Sequence, residues 1–102
     1  MIRFIEVINR TEFNPRMERT AHPRFTLGEV WINGEYVVSL QEAPSYKRLL
    51  AEGQLPADLQ ADHSFTLVTV TNGELRENHV VVGSPHTVAQ RLNPHRTQLL
   101  KG

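Results

Sequence analysis

Short runs of β-branched and aromatic residues, separated by polar stretches with Gly, Pro and Asn, run through the chain. Residues 1–8 form the first run, and their partial alternation of apolar and polar positions predicts an opening β-strand. Residues 9–23 are polar and contain Pro15 and Pro23. Because proline disfavours regular backbone pairing, this second stretch predicts a loop.

Two further strand pairs, each flanking an Asn-Gly dipeptide, are predicted within residues 29–40 and 64–82. The dipeptides are Asn33-Gly34 and Asn72-Gly73. Asn-Gly favours the type I′ turn, whose two central residues have positive φ and whose twist matches the flanking strands. We therefore expect two β-hairpins, the second of which carries a polar arm or a bulged rim over residues 74–78.

Two short helices are predicted, and each begins beside a serine and a proline. The first covers residues 46–52, with Ser45 as its N-cap, and Gly53 suits the left-handed position after its end. The second follows Ser84, its predicted N-cap, and has Pro85 at its first position, where a missing N–H costs nothing. Its apolar face consists of Val88, Ala89 and Leu92.

These elements predict one α+β domain over residues 1–102, with both helices packed on one face of a mostly antiparallel sheet. The length of 102 residues is typical of a single domain, and 39% apolar with 22% charged residues is typical of a globular chain. No apolar run approaches the ~20 residues that span a bilayer. Because Arg3 and Glu6 interrupt the first apolar run, it does not resemble a signal peptide, and we expect a cytoplasmic location without membrane partners.

The composition contains little that indicates catalysis. The chain has no Cys, which excludes disulfides, thiol nucleophiles and thiolate metal sites. It also has no Gly-rich phosphate loop, zinc-helix motif or nucleophile elbow, and its five His residues lack metal-ligand spacing. We therefore expect a protein that is not an enzyme and that uses neither a metal nor another cofactor.

Charge placement is the informative feature of the second half of the chain. Lys and Arg total 11, as do Asp and Glu, but no acidic residue follows Glu77. The acid-free end carries Arg91, Arg96 and Lys101. Such a cluster suits a phosphorylated small molecule, whereas three cations are few for duplex DNA. An inert basic tail is an equally weighted alternative, and Arg91 alone is explained by the favourable position of a cation near a helix C-terminus.

Several short motifs along the chain resemble those of the first Thoeris anti-defence family, viral proteins that sequester cyclic ADP-ribose signals. The resembling segments are Met1-Ile2-Arg3-Phe4, Asn14-Pro15, Val37-Val38-Ser39, Ala43-Pro44, Lys47-Arg48-Leu49-Leu50, Asn78, residues 80–85, Val88 and residues 96–102. The resemblance implies a non-enzymatic homo-oligomer, a dimer or a hexamer, that binds the nucleotide signal intact in the host cytoplasm and so blocks Thoeris-type immunity. Family members of this kind also carry separate sites for cyclic oligonucleotides.

The same resemblance implies a ligand-binding set composed of an aromatic ring, an asparagine and C-terminal cations. The matching positions here are Phe65, Asn78, Arg91, Arg96 and Lys101. Phe65 would stack on the adenine, Asn78 would bond base or ribose, and the cations would pair with the pyrophosphate. Lys101 stands where the family has a final Arg, and a lysine cannot grip phosphate with two parallel bonds.

A second resemblance points to another class of function. Ala43-Pro44 before Lys47-Arg48, and residues 78–82 followed by Pro85, Thr87-Val88-Ala89 and Arg91-Leu92, resemble the extracellular-matrix regulator family. The Asn-Gly hairpin at residues 71–74 also resembles short flagellar motility proteins. These resemblances imply a ring-forming DNA-binding module or a motility factor, for which nucleic acid would be the partner. The zero net charge counts against DNA. A purely structural or interaction protein is a third possibility.

Overall fold

A computed structural model of the chain describes residues 1–10, 24–56, 59 and 62–93. These residues form a five-stranded antiparallel sheet and two α-helices, which confirms the predicted α+β class. In chain order the elements are β1 (Ile2–Asn9), β2 (Phe25–Ile32), a 3-10 turn (Gly34–Tyr36), β3 (Val37–Glu42), α1 (Pro44–Ala51), β4 (Phe65–Asn72), β5 (Leu75–Val82) and α2 (Pro85–Leu92). β-Branched and aromatic residues fill most of β1 and β4, as a pleated and half-buried surface favours.

The sheet consists of two parts that meet along a narrow seam. The strand order is β2-β1-β5-β4-β3, and all neighbouring strands are antiparallel. β1 and β2 pair along their whole length, whereas β1 and β5 share one registered pair, Glu6 opposite Val81. The β1–β2 ribbon is therefore joined to the β3–β4–β5 part at that pair.

The hairpin predicted at Asn33-Gly34 is wrong, because β2 and β3 lie at opposite edges of the sheet. Asn33 has φ −91° and ψ 118°, an extended conformation without the positive φ that a type I′ turn needs. Its Oδ1 accepts a hydrogen bond of 3.0 Å from the Glu35 amide and so caps the 3-10 turn. A Cβ at Gly34 would lie 3.2 Å from the Leu92 carbonyl oxygen. The dipeptide thus begins a crossover that passes close to the end of α2.

The other Asn-Gly dipeptide does lie at an antiparallel pair, β4 with β5, but the turn is one residue later than predicted. Asn72 pairs with Leu75, so Gly73 and Glu74 form the two-residue loop. Gly73 has φ 68°, in the left-handed region that glycine adopts without a steric penalty. Residues 75–78 are exposed and continue in regular register with β4, and they form the polar arm expected from the sequence.

The two helices cover opposite faces of the sheet, so the prediction of one shared face is wrong. Side chains alternate between the faces along a strand. Val68 of β4 packs in a cluster with Val88 of α2, whereas Phe65, three positions earlier, packs in a cluster with Tyr46 of α1. The α2-side core comprises Phe4, Ile32, Val68, Val81, Val88 and Leu92, and the α1-side core comprises Val7, Leu55 and Phe65.

The helix ends agree with the sequence only in part. Ser84 caps α2 as predicted, since its Oγ accepts a 3.2 Å hydrogen bond from the Thr87 amide. The predicted cap of α1 is wrong, because Ala43 is the N-cap and Ser45 lies within the first turn. Gly53 follows the end of α1 with φ 74°, as expected, and its amide bonds the Leu50 carbonyl oxygen.

Candidate functional site

Phe65, the predicted stacking residue, lies inside the α1-side core. Its relative exposure is 1%, and its ring centroid is 6.2 Å from that of Tyr46. A stacking platform needs an open ring face. In this chain the Phe65 ring therefore supports the packing of α1 on the sheet and has no surface open to a ligand.

Asn78 and Arg91 point to opposite faces of the sheet. Asn78 alternates with Val80 and Val82, which pack toward α1, and its Oδ1 accepts a 2.8 Å hydrogen bond from the Thr69 hydroxyl. Arg91 belongs to α2, on the other face. Its Nη2 donates a 2.6 Å hydrogen bond to the Arg3 carbonyl oxygen, and its guanidinium carbon lies 4.5 Å from the centroid of the Phe4 ring.

The five predicted ligand residues therefore do not form one site within the described part of a single chain. Phe65 is buried, and Asn78 and Arg91 lie on different faces. Arg96 and Lys101 lie outside the described residues. A site that uses Asn78 and Arg91 together would need a second copy of the chain.

The described residues line a different cavity, here called the sheet pocket, of about 600 Å³ and open to solvent on one side. It is lined by residues 30–33, Tyr36, residues 70–73, Glu77 and His79 together with Met1. β2 and β4 are separated by two strands in the sheet order, and both line this pocket. The sheet therefore curves around the cavity, whose volume lies in the ~300–1,000 Å³ range of small-molecule sites.

Two aromatic residues are among those that line the sheet pocket, and more than half of the surface of each is accessible. Trp31 at the end of β2 is 57% exposed, and Tyr36 in the 3-10 turn is 56% exposed. Trp31 precedes and Tyr36 follows the start of the crossover at Asn33, so this crossover places both residues at the pocket. Trp31 alternates along β2 with Val30 and Ile32, which pack toward α2, so its ring points to the opposite face of the sheet. Tyr36 is therefore the aromatic residue of the pocket that offers a π-face to a planar group.

The polar wall of the pocket contains a histidine held between two carboxylates. His79 Nδ1 lies 2.6 Å from Glu6 Oε2, and His79 Nε2 lies 3.6 Å from Glu77 Oε2. The Glu6 and His79 side chains are 19% and 20% exposed, whereas Glu77 is 58% exposed. Glu6 therefore fixes the orientation of the imidazole ring through Nδ1. The carboxylate of Glu77 can still accept hydrogen bonds from a ligand.

The described residues carry nearly equal numbers of basic and acidic side chains. Four basic and three acidic residues of the chain lie outside them, which leaves seven basic and eight acidic side chains. The described residues that line the sheet pocket include Glu77 and neither Lys nor Arg. This balance adds no support to duplex DNA binding, which needs several phosphate-neutralising cations on one surface.

A smaller cavity of about 350 Å³ lies on the α1 side of the sheet, beside Ile5, Leu27, His63 and Val82. His63 Nδ1 is buried there and has no hydrogen-bond partner among the described residues. The wall carries no Trp, Tyr or Phe ring in the described part of the chain. The sheet pocket, which is larger and is lined by Tyr36 and a polar wall, is the stronger candidate for a ligand site.

The sequence contained a signal for this site that the resemblance did not use. In β5, Glu77 and His79 occupy the same alternate positions as buried Val81. Polar residues in positions of a strand that otherwise face the core indicate that this part of the strand lines a polar site and not the apolar core. The signal for Trp31 and Tyr36 was weaker, since exposed aromatics cannot be distinguished from core aromatics by pattern alone.

Among the described residues, no set of three or more His, Asp or Glu side chains is arranged to hold a metal ion. None of the helices in the described ranges is long and apolar enough to cross a membrane. No family model, curated protein or solved structure matches this chain significantly.

Proposed function

We propose that this protein binds a small nucleotide signal and sequesters it without chemical change, with the sheet pocket as the binding site. The observation that carries the proposal is the 600 Å³ cavity lined by the half-exposed Tyr36 and by the polar residues Glu77 and His79. A nucleotide base is planar, and base–aromatic stacking contributes about 1–3 kcal/mol per base. The chemical class of the ligand rests on the resemblance to the Thoeris anti-defence family, which suggests a cyclic ADP-ribose isomer.

Binding without catalysis is supported by the contacts of His79, the side chain in the pocket best suited to proton transfer. Its Nδ1 pairs with Glu6 and its Nε2 faces Glu77. A nucleophilic mechanism would need the imidazole to bond a hydroxyl, thiol or amine that attacks the substrate. A carboxylate on Nδ1 also occurs in catalytic histidines, but at Nε2 the described residues place Glu77 and no hydroxyl, thiol or amine side chain.

We also propose that the chain assembles as a homo-oligomer. Met1, Trp31, Tyr36, Val38 and Leu75 are large apolar side chains that are 48–79% exposed. Three of them line the sheet pocket, so a neighbouring copy at its mouth would cover apolar surface and enclose the ligand. The neighbour could also supply Arg96 and Lys101 to the phosphates.

The test is capture and release of the ligand. The protein is incubated with cyclic ADP-ribose isomers, freed of unbound ligand by gel filtration and heated until it unfolds. Chromatography of the supernatant should recover the same isomer, stoichiometric with the protein. Recovery of a hydrolysed product would make the protein an enzyme, and recovery of no ligand would overturn the proposal.

Trp31 provides a second readout, because it is the single tryptophan of the chain and lines the pocket. Its fluorescence should change on titration with the ligand that is captured. By calorimetry, Tyr36→Ala should weaken binding roughly 5- to 150-fold if the ring stacks on the base. Gln41→Ala is the control, since Gln41 is exposed, does not line the pocket and is not among the apolar residues proposed for the oligomer.

A further inference from the structure

The polar wall of the sheet pocket indicates which end of a ligand enters it. Glu77 presents a carboxylate to the cavity, and its Oε2 is 3.6 Å from His79 Nε2, beyond the length of an ordinary hydrogen bond. The oxygens of Glu77 are therefore available to hydrogen-bond donors of a ligand. His79 is fixed by Glu6 at 2.6 Å, so the wall is organised before any ligand arrives.

The same wall is unfavourable for phosphate. Neither Lys nor Arg is among the described residues that line the pocket, and Glu77 contributes the one carboxylate side chain among them. Phosphate groups bind where Arg, Lys or several backbone amides converge. A carboxylate at the wall instead repels an anion and attracts amino and hydroxyl donors.

We propose that Glu77 is the specificity-determining residue of the sheet pocket, where it accepts hydrogen bonds from the amine or hydroxyl donors of a nucleoside moiety and keeps phosphate outside. This inference rests on the proposed nucleotide-binding function and assigns the orientation of the ligand. The base lies against Tyr36, the donor groups face Glu77, and the phosphates point to the mouth of the cavity. A single chain thereby recognises the uncharged nucleoside part of the nucleotide and not its phosphates.

The experiment measures affinities for adenosine, adenosine monophosphate and a cyclic ADP-ribose isomer by Trp31 fluorescence and calorimetry. For the wild-type chain, adenosine should bind at least as tightly as its monophosphate. Glu77→Gln should weaken adenosine roughly 5- to 10-fold, because a neutral amide is a poorer acceptor than a carboxylate. The same substitution should raise the affinity for monophosphate relative to that for adenosine, because a negative charge has been removed from the wall.

Glu74→Gln is the matched control. Glu74 is an exposed carboxylate in the β4–β5 loop and does not line the pocket, so this variant removes the same charge from the same hairpin. It should leave all three affinities within twofold of wild type. Circular dichroism of both variants checks that the fold is retained, which the 58% exposure of Glu77 leads us to expect.

The possible results separate the two proposals. If none of the three compounds binds the wild-type chain, the proposed function fails and the assignment of Glu77 fails with it. If the cyclic isomer binds but Glu77→Gln leaves adenosine affinity unchanged, nucleotide binding stands and the role of Glu77 is overturned. A wild-type chain that binds the monophosphate tenfold more tightly than adenosine also overturns the orientation.

Discussion

Glu6 of β1 and His79 of β5 lie 73 positions apart in the chain, yet Glu6 Oε2 and His79 Nδ1 are 2.6 Å apart. The two side chains meet at the seam where β1 and β5 share their one registered backbone pair. Both are about four-fifths buried. The contact therefore joins the β1–β2 ribbon to the rest of the sheet and also positions the polar wall of the sheet pocket.

The Glu6–His79 contact should contribute measurably to stability. His79→Ala leaves a mostly buried carboxylate without its donor, so we expect the free energy of unfolding to fall by about 1–3 kcal/mol. Glu6→Gln should cost less, about 0.5–1.5 kcal/mol, because its amide oxygen can still accept from the ring. Urea denaturation at neutral pH measures both. Glu74→Gln is the exposed control, and a His79→Ala variant as stable as that control would contradict the role of the pair.

The two serines that the sequence offered as helix caps should behave differently on substitution. Ser84→Ala removes the oxygen that accepts from the Thr87 amide, and we expect a loss of about 1 kcal/mol in the free energy of unfolding. Ser45→Ala should be neutral or slightly stabilising, because Ala43 occupies the N-cap and alanine is the better helix former. Thermal or urea unfolding compares the two. Equal losses at both positions would contradict this assignment of the caps.

The helix starts show where local sequence is sufficient and where it is not. At Ser84-Pro85 the serine directly precedes the proline that opens α2, so the order of the two residues matches cap and first position. At Pro44-Ser45 the order is reversed. Proline is favoured at the first helical position, which makes Ala43 the cap and carries Ser45 into the helix. The order of serine and proline, which can be read from the sequence, therefore decides at which residue each helix begins.

The strand topology depended on interactions that no local pattern contains. Asn33-Gly34 has the composition of a hairpin turn, but β2 pairs along all eight of its residues with β1 and not with β3. Such long-range pairing outweighs a local turn preference, because many cross-strand contacts are gained for the cost of one turn conformation. At Asn72-Gly73 the strand pairing and the local turn preference agree, and the β4–β5 pair forms next to the dipeptide.

The sheet pocket could not be predicted from the sequence for a related reason. Its wall combines the end of β2, the end of β4 and the exposed arm of β5, which come together only because the sheet curves. The sequence pattern alone does not distinguish the accessible Trp31 and Tyr36 from core aromatics, or Glu77 from a solvent-exposed acid of the polar arm. Their roles depend on which face each strand presents, and that depends on the strand order.

The turn between β4 and β5 should require glycine at position 73 because of its positive φ angle and not because of limited space. A Cβ at Gly73 would meet no atom within 4 Å, but the residue has φ 68°. Gly73→Ala should therefore lower the free energy of unfolding by about 1–2 kcal/mol through backbone strain without a clash. Gly73→Asn should cost less, since asparagine tolerates left-handed backbone. Equal stability of the alanine variant and wild type, measured by urea denaturation, would contradict this.

Arg91 should act first as a structural side chain, although its sequence context suggested a phosphate ligand. Its guanidinium donates to the Arg3 carbonyl oxygen and lies over the Phe4 ring, which couples α2 to β1. We expect Arg91→Ala to lower the free energy of unfolding by about 1 kcal/mol. Gln90→Ala, an exposed position on the same helix, is the control and should change it by less than about 0.5 kcal/mol. An Arg91→Ala variant that keeps wild-type stability but loses ligand affinity would instead assign the guanidinium to the ligand.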